Sequence, residues 1–70
     1  MNKNKIRAYI NSKIGDKVVI ISFQNRNREE KYEGIVNNVY NHLFTIIQKD
    51  GRCKSFSYVD ILTGNIRVYI

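Results

Sequence analysis

Proline is absent from this 70-residue chain, and cysteine and histidine occur once each. One cysteine excludes an internal disulfide, and one cysteine with one histidine leaves no zinc-ligand cluster. Chains this short often lean on such staples or on a partner, so the fold here must rest on a single core drawn from the 43% of apolar residues. Long hydrophobic runs are missing as well. The longest, Val18–Ile21, falls far short of the roughly 20 residues of a membrane span, and no signal-peptide stretch opens the chain. A cytoplasmic location without a membrane partner is expected, and a lone thiol suits a reducing compartment.

Acidic residues are also scarce, six against twelve Lys and Arg, which leaves a net charge of +6. The imbalance is local. Residues 1–28 carry Lys3, Lys5, Arg7, Lys13, Lys17, Arg26 and Arg28 against Asp16 alone, whereas residues 29–70 carry five charges of each sign. An anionic partner would therefore meet the N-terminal segment and the first loop. Lys3, Lys5, Arg7, Arg26 and Arg28 are the candidate nucleic-acid or anion-binding residues, and a solvated basic face is the alternative. Lys3, Lys5 and Arg7 crowd the start of a predicted helix, where the helix dipole disfavours cations, so local stability does not account for them.

Ile6, Tyr9, Ile10 and Ile14 recur at spacings of three and four, predicting an amphipathic helix over about 4–14 capped by Gly15. The remainder, about 17–70, reads as β structure. Strands are expected over Lys17–Phe23, Lys31–Tyr40 with Gly34 at a bend, Leu43–Gln48, Arg52–Ser57 and Asn65–Ile70. Asp50-Gly51 supplies a tight hairpin, and Tyr58–Leu62 reads as a single 3₁₀ turn. Ile6, Ile10, Val19, Ile21, Val36, Ile46, Ile61 and Val68 are expected to face inward. The order, one helix then five short strands, predicts a mainly β domain over residues 1–70, a small SH3-like five-stranded barrel with an N-terminal α-helix.

Catalytic parts are few. His42 falls in a predicted turn, Cys53 reads as a small packing residue in a strand, and Glu29, Glu30 and Glu33 read as surface ion-pair partners, so no catalytic residue, metal or cofactor is expected. Binding is the better supported class. Small barrels recognise single-stranded nucleic acid through rings beside basic groups, and Tyr32, Tyr40, Phe56, Tyr58 and Tyr69 could supply rings, although a small core also consumes aromatics. An Sm-like RNA-binding barrel shares the element order. Its acidic and Asn positions are occupied here by Tyr40 and Phe44, and Thr63-Gly64 stands where its Arg-Gly or similar pair before the last strand would be.

The stretch from Ser55, SFSYVDILTGNIRVYI, resembles the C-terminal signature of the Veg family, a Ser-Tyr-Ser-Tyr-x-Asp-Ile/Leu-Leu-Thr run before a final strand. Phe56 takes the first Tyr position, and Ser57, Tyr58, Asp60, Ile61, Leu62 and Thr63 match directly. Upstream, Ile14-Gly15 before the Val-rich strand, Glu33-Gly34-Ile35, and Tyr40 with Phe44 four residues on keep the family's order. The basic run of the family's first loop is diluted here to Asn25-Arg26-Asn27-Arg28-Glu29-Glu30, and Tyr40-Asn41 replaces a Tyr-Pro pair. The resemblance implies a short cytosolic bacterial protein with an SH3-like barrel that stimulates biofilm formation through transcriptional regulation.

In the matched stretch, Asp60 is expected to cap or brace the 3₁₀ turn while Ile61 and Leu62 plug the barrel end. The alternative is a partner-binding surface, and Tyr40, Tyr58 and Asp60 are its candidate residues. The chain is thus expected to be a non-enzymatic regulatory binding module, whose partner is a regulatory protein or nucleic acid, with a second copy of the chain as a further candidate.

Overall fold

The computed structural model describes residues 2–23 and 28–70. It contains a helix α1 (Lys3–Asn11), strands β1 (Lys17–Ser22), β2 (Glu30–Val39), β3 (Leu43–Gln48) and β4 (Cys53–Ser57), a one-turn helix α2 (Tyr58–Leu62) and strand β5 (Ile66–Tyr69). All strand pairs are antiparallel, and the five strands form one sheet in the order β4-β3-β2-β1-β5. The fold is mainly β with an N-terminal helix, as expected.

Two details differ in the helices. α1 ends at Asn11 rather than near Ile14, because the Ser12 hydroxyl turns back to donate to the Tyr9 carbonyl and the chain leaves the helical path. Gly15 then adopts a φ of +92° and donates its N–H to the Val36 carbonyl, which returns the N–H of Val36 to Asp16. Gly15 thus stitches the turn to β2 rather than capping α1. Tyr58–Leu62 is one turn of α-helix rather than 3₁₀. Its N-cap is Ser57, whose hydroxyl accepts from the Val59 N–H.

β2 is long enough to serve two neighbours, pairing with β1 over its first half and with β3 over its second. The change of partner needs close approach and a kink. A Cβ on Gly34 would collide with the backbone carbonyl of Ile47, so only glycine lets the backbones of β2 and β3 come this near. Between Val36 and Asn38 the register shifts by one residue, a bulge that bends the strand further. Gly51, with φ +86°, completes the predicted Asp-Gly hairpin between β3 and β4.

The sheet does not close into a barrel: β4 and β5 are its two edges. α2 spaces them apart, and a cleft of about 410 Å³ lies between them, walled by Phe56 on one side and Ser22 and Ile66 on the other. The core is built of Ile6, Ile10, Val18, Ile20, Val36, Phe44, Ile46, Phe56, Tyr58 and Ile66, with Tyr32, Val39, Ile61 and Val68 packed against it. Ile6, Ile10, Val36 and Ile46 face inward as expected, and Ile61 and Val68 lie at the margin. Val19 and Ile21 do not belong to the core. β1 turns Val18, Ile20 and Ser22 inward and leaves Val19 and Ile21 half-buried on the other face. Pairing to both β2 and β5 fixes this phase, which four consecutive apolar residues could not reveal.

Candidate functional site

α1 carries the cations that the charge distribution singles out, and its cap decides what its N-terminus can offer. Asn2 accepts the Lys5 N–H through its side chain at 2.9 Å, so one of the free amides of the first turn is already satisfied. Burial of Ile6 and Ile10 fixes the helix on the core, so it is no peripheral arm. The remaining side chains divide into two flanks. On one, Lys3 Nζ donates to His42 Nδ1 at 2.9 Å and Arg7 Nη1 to Asn41 Oδ1 at 3.1 Å, tying both cations to the β2–β3 turn. On the other, Lys5 and Tyr9 border a groove floored by Ile6, Ile10, Ile61 and Val68, and Lys13 Nζ sits 5.6 Å from the centre of the Tyr9 ring.

The five candidate anion-binding residues are therefore dispersed. Lys3 and Arg7 share one flank of α1, Lys5 occupies the other, and Arg28 is exposed in the β1–β2 connection at the opposite end of β2 from the 41–42 turn. Arg26 lies outside the described residues. The acidic groups pair elsewhere. Glu33 bonds Lys31 at 3.1 Å and approaches Lys49, which holds its carboxyl below the usual range, and Asp50 pairs with Arg52. Among the described residues, no carboxylate forms a salt bridge with a cation of α1.

The three candidate partner residues also part company. Tyr58 is fully buried, stacked against Phe44, and donates its hydroxyl to the Tyr40 carbonyl at 2.8 Å. Burial pushes its phenol up, offset in part by that bond and by the Arg7 charge. It is thus the plug that the end of the sheet requires, and its ring offers no surface; the polar hydroxyl found an internal partner, which made burial affordable. Leu62, expected as a plug, is exposed instead. Tyr40 is 51% exposed and Asp60 half-buried. Asp60 takes a long 3.5 Å contact from Asn65 Nδ2 and braces the turn that Ser57 caps.

The aromatic residues that could have stacked on bases are mostly consumed. Phe56 is buried between Phe44 and Tyr32, and Tyr32 packs edge-on against it beneath Lys54. The Tyr32 hydroxyl donates to Glu30, and this bond above all raises its pKa. Tyr40 and Tyr69 remain exposed, Tyr40 beside α1 and Tyr69 paired with Val19 on the outward side of the sheet. Cys53 is exposed rather than packed, and among the described residues no group of three His, Cys, Asp or Glu side chains could hold a metal ion. No described helix is long and apolar enough to cross a membrane.

Sequence reasoning located the basic helix but missed the groove beside Tyr9. The signal was present in Lys5 and Tyr9, spaced by four and so one turn apart on α1 beside the buried Ile6 and Ile10. Residues 2–69 match the family model described as biofilm formation stimulator VEG. No curated protein matches the chain.

Proposed function

The chain belongs to the family of biofilm formation stimulators VEG, and from that premise we propose that it acts without catalysis, binding a regulatory protein in the cytoplasm and thereby altering transcription. The observation that carries the reading is the flank of α1 on which Lys5, with no salt-bridged carboxylate among the described residues, borders the half-exposed Tyr9 ring and the half-buried Ile61 and Val68. Charge with apolar surface is what a protein partner uses, the apolar part for affinity and the charge for orientation and on-rate. A nucleic-acid interface would combine a continuous basic track with accessible rings. Here Lys3 and Arg7 are held by His42 and Asn41, and Phe56 and Tyr58 are buried.

The test is capture of binding partners by the full chain from cells that produce it, with and without nuclease, beside a biofilm assay. Retention of one protein after nuclease treatment, together with loss of both retention and biofilm stimulation in a Lys5→Glu variant, is the expected result. Capture that disappears with nuclease would overturn the reading.

A further inference from the structure

The groove between α1, α2 and β5 has an apolar floor of Ile6, Ile10, Ile61 and Val68, a volume of about 330 Å³, and a rim in which Lys5 is the charged member. Tyr9 stands 53% exposed at its edge, with the Lys13 ammonium against its ring. The exposed part of the Tyr9 ring extends the apolar surface of the groove to its edge. We propose that this groove is the docking site for an acidic amphipathic helix of a partner protein. The proposal deepens the functional reading above and rests on it.

The charge pattern selects the occupant. Lys5 lies on α1 at the rim of the groove, Lys13 lies in the turn just past the helix with its ammonium against the Tyr9 ring, and neither has a carboxylate in salt-bridge contact among the described residues. A basic or neutral segment would leave both unpaired on docking. A helix with two bulky apolar side chains a turn apart would fill the floor, and carboxylates flanking them would meet Lys5 and Lys13. The other flank of α1 has a cleft of about 460 Å³ lined by Arg7, Ala8, Asn11, Val39, Tyr40 and Asn41, but it lacks an isoleucine floor and its cation, Arg7, is bonded to the Asn41 side chain.

The probe is a fluorescein-labelled twelve-residue peptide with Leu and Phe one turn apart and Glu at the flanking positions. Two controls have Lys in place of Glu, or Ser in place of Leu and Phe. Binding to the full chain is read by anisotropy and by amide chemical shifts. The acidic apolar peptide should shift amides of residues 5–13, 61–62 and 68, both controls should bind at least tenfold more weakly, and Lys5→Glu or Tyr9→Ser should cost tenfold or more at unchanged melting temperature, with Lys5→Arg retaining affinity. Absence of binding, shifts centred on Tyr40 and Asn41, or a single-stranded oligonucleotide that displaces the peptide and moves the same amides would overturn the proposal.

A photoreactive benzophenone amino acid in place of Tyr9, Tyr40 or Tyr69 in cells separates the two levels. Cross-linking to one protein from position 9 alone, with the peptide competing in lysate, supports the groove. Cross-linking from position 40 or 69 and not from 9 defeats the groove while the binding reading stands. No cross-link from any position, with nuclease-sensitive capture, defeats both.

Discussion

Gly34 and Gly51 are both glycines for steric reasons, but the reasons differ, and so should the cost of losing them. At Gly34 the obstacle is the β3 backbone itself, the Ile47 carbonyl, which cannot swing away as a side chain could. Gly34→Ala should therefore destabilise by about 2 kcal/mol or more, as overpacking does. At Gly51 the added Cβ meets nothing within 4 Å, and the cost is the positive φ alone, about 1 kcal/mol for Gly51→Ala. Thermal melts of the two variants check the order, and equal losses would contradict it. Gly34 was legible in the sequence as a glycine inside a strand, but only the pairing of Gly34 with Gln48 shows that a carbonyl, rather than a bend, excludes the methyl group.

Tyr58 carries a second consequence at this scale. Its phenol has a folded-state pKa above its ordinary value near 10, so the neutral form is the one the fold accommodates. A group raised in this way contributes stability that is complete below the unfolded pKa and is lost as pH rises through the folded one. The melting temperature should hold from neutral pH to about pH 9 and fall above pH 10, in step with Tyr58 ionisation followed by phenolate absorbance. Tyr58→Phe should be less stable at neutral pH, since the Tyr40 carbonyl loses its donor, and should lose less on going above pH 10. An alkaline decline as steep as that of the parent would assign the effect to other tyrosines.

Among the elements, β3 could be read from the sequence to the residue, since Asn41-His42 and Asp50-Gly51 bracket an apolar run with clear turn chemistry on both sides. β1 could be placed but not phased. Val18, Val19, Ile20 and Ile21 are all good strand residues, and nothing within them says which pair is inside. The answer sits in distant partners: Ile20 pairs with Tyr32 and Val68, which also face the core, and Val19 pairs with Glu33 and Tyr69 on the outward side. Ile20→Ala should cost about 2 to 4 kcal/mol, the range for deleting a buried aliphatic group, and Val19→Ala about 1 kcal/mol or less. Denaturant melts that rank them the other way would reverse the assigned phase of the strand. Closure of the sheet was beyond sequence reading for a similar reason, because it depends on the gap that α2 holds between β4 and β5.

At the scale of the whole molecule, the +6 charge and its concentration before residue 29 were legible from the first count, but the bonding of Lys3 and Arg7 to the 41–42 turn was not. Glu33 and Asp50 pair with Lys31, Lys49 and Arg52, and residues 29–70 carry five charges of each sign, so the excess belongs to the cations of residues 1–28. Of those cations, Arg7 is half-buried and bonded to Asn41, whereas Lys5 and Arg28 are exposed. Reversing Lys5, Arg26 and Arg28 to Glu changes the charge by two units at each of three sites, taking the net charge from +6 to zero. Exposed charges contribute little to stability, so the melting temperature should stay within a few degrees of the parent. If the partner is a protein with an acidic apolar segment, capture of that protein should be lost with the reversal. Oligonucleotides should bind the parent only in the non-specific range, about 10⁻⁴ to 10⁻⁶ M at physiological salt, because Lys3 and Arg7 are already engaged with the turn and the exposed rings are scattered, Tyr9 and Tyr40 on different flanks of α1 and Tyr69 on the outward side of the sheet. Anisotropy on single- and double-stranded oligonucleotides across a salt series decides between the partners. A Kd below about 10⁻⁷ M at physiological salt, with log affinity falling by about 0.7 to 0.9 per log unit of salt for each phosphate contact, would transfer the function from protein to nucleic acid. In that event Lys5, Arg26 and Arg28 would be the contacts, since reversal would abolish the binding while the fold persisted.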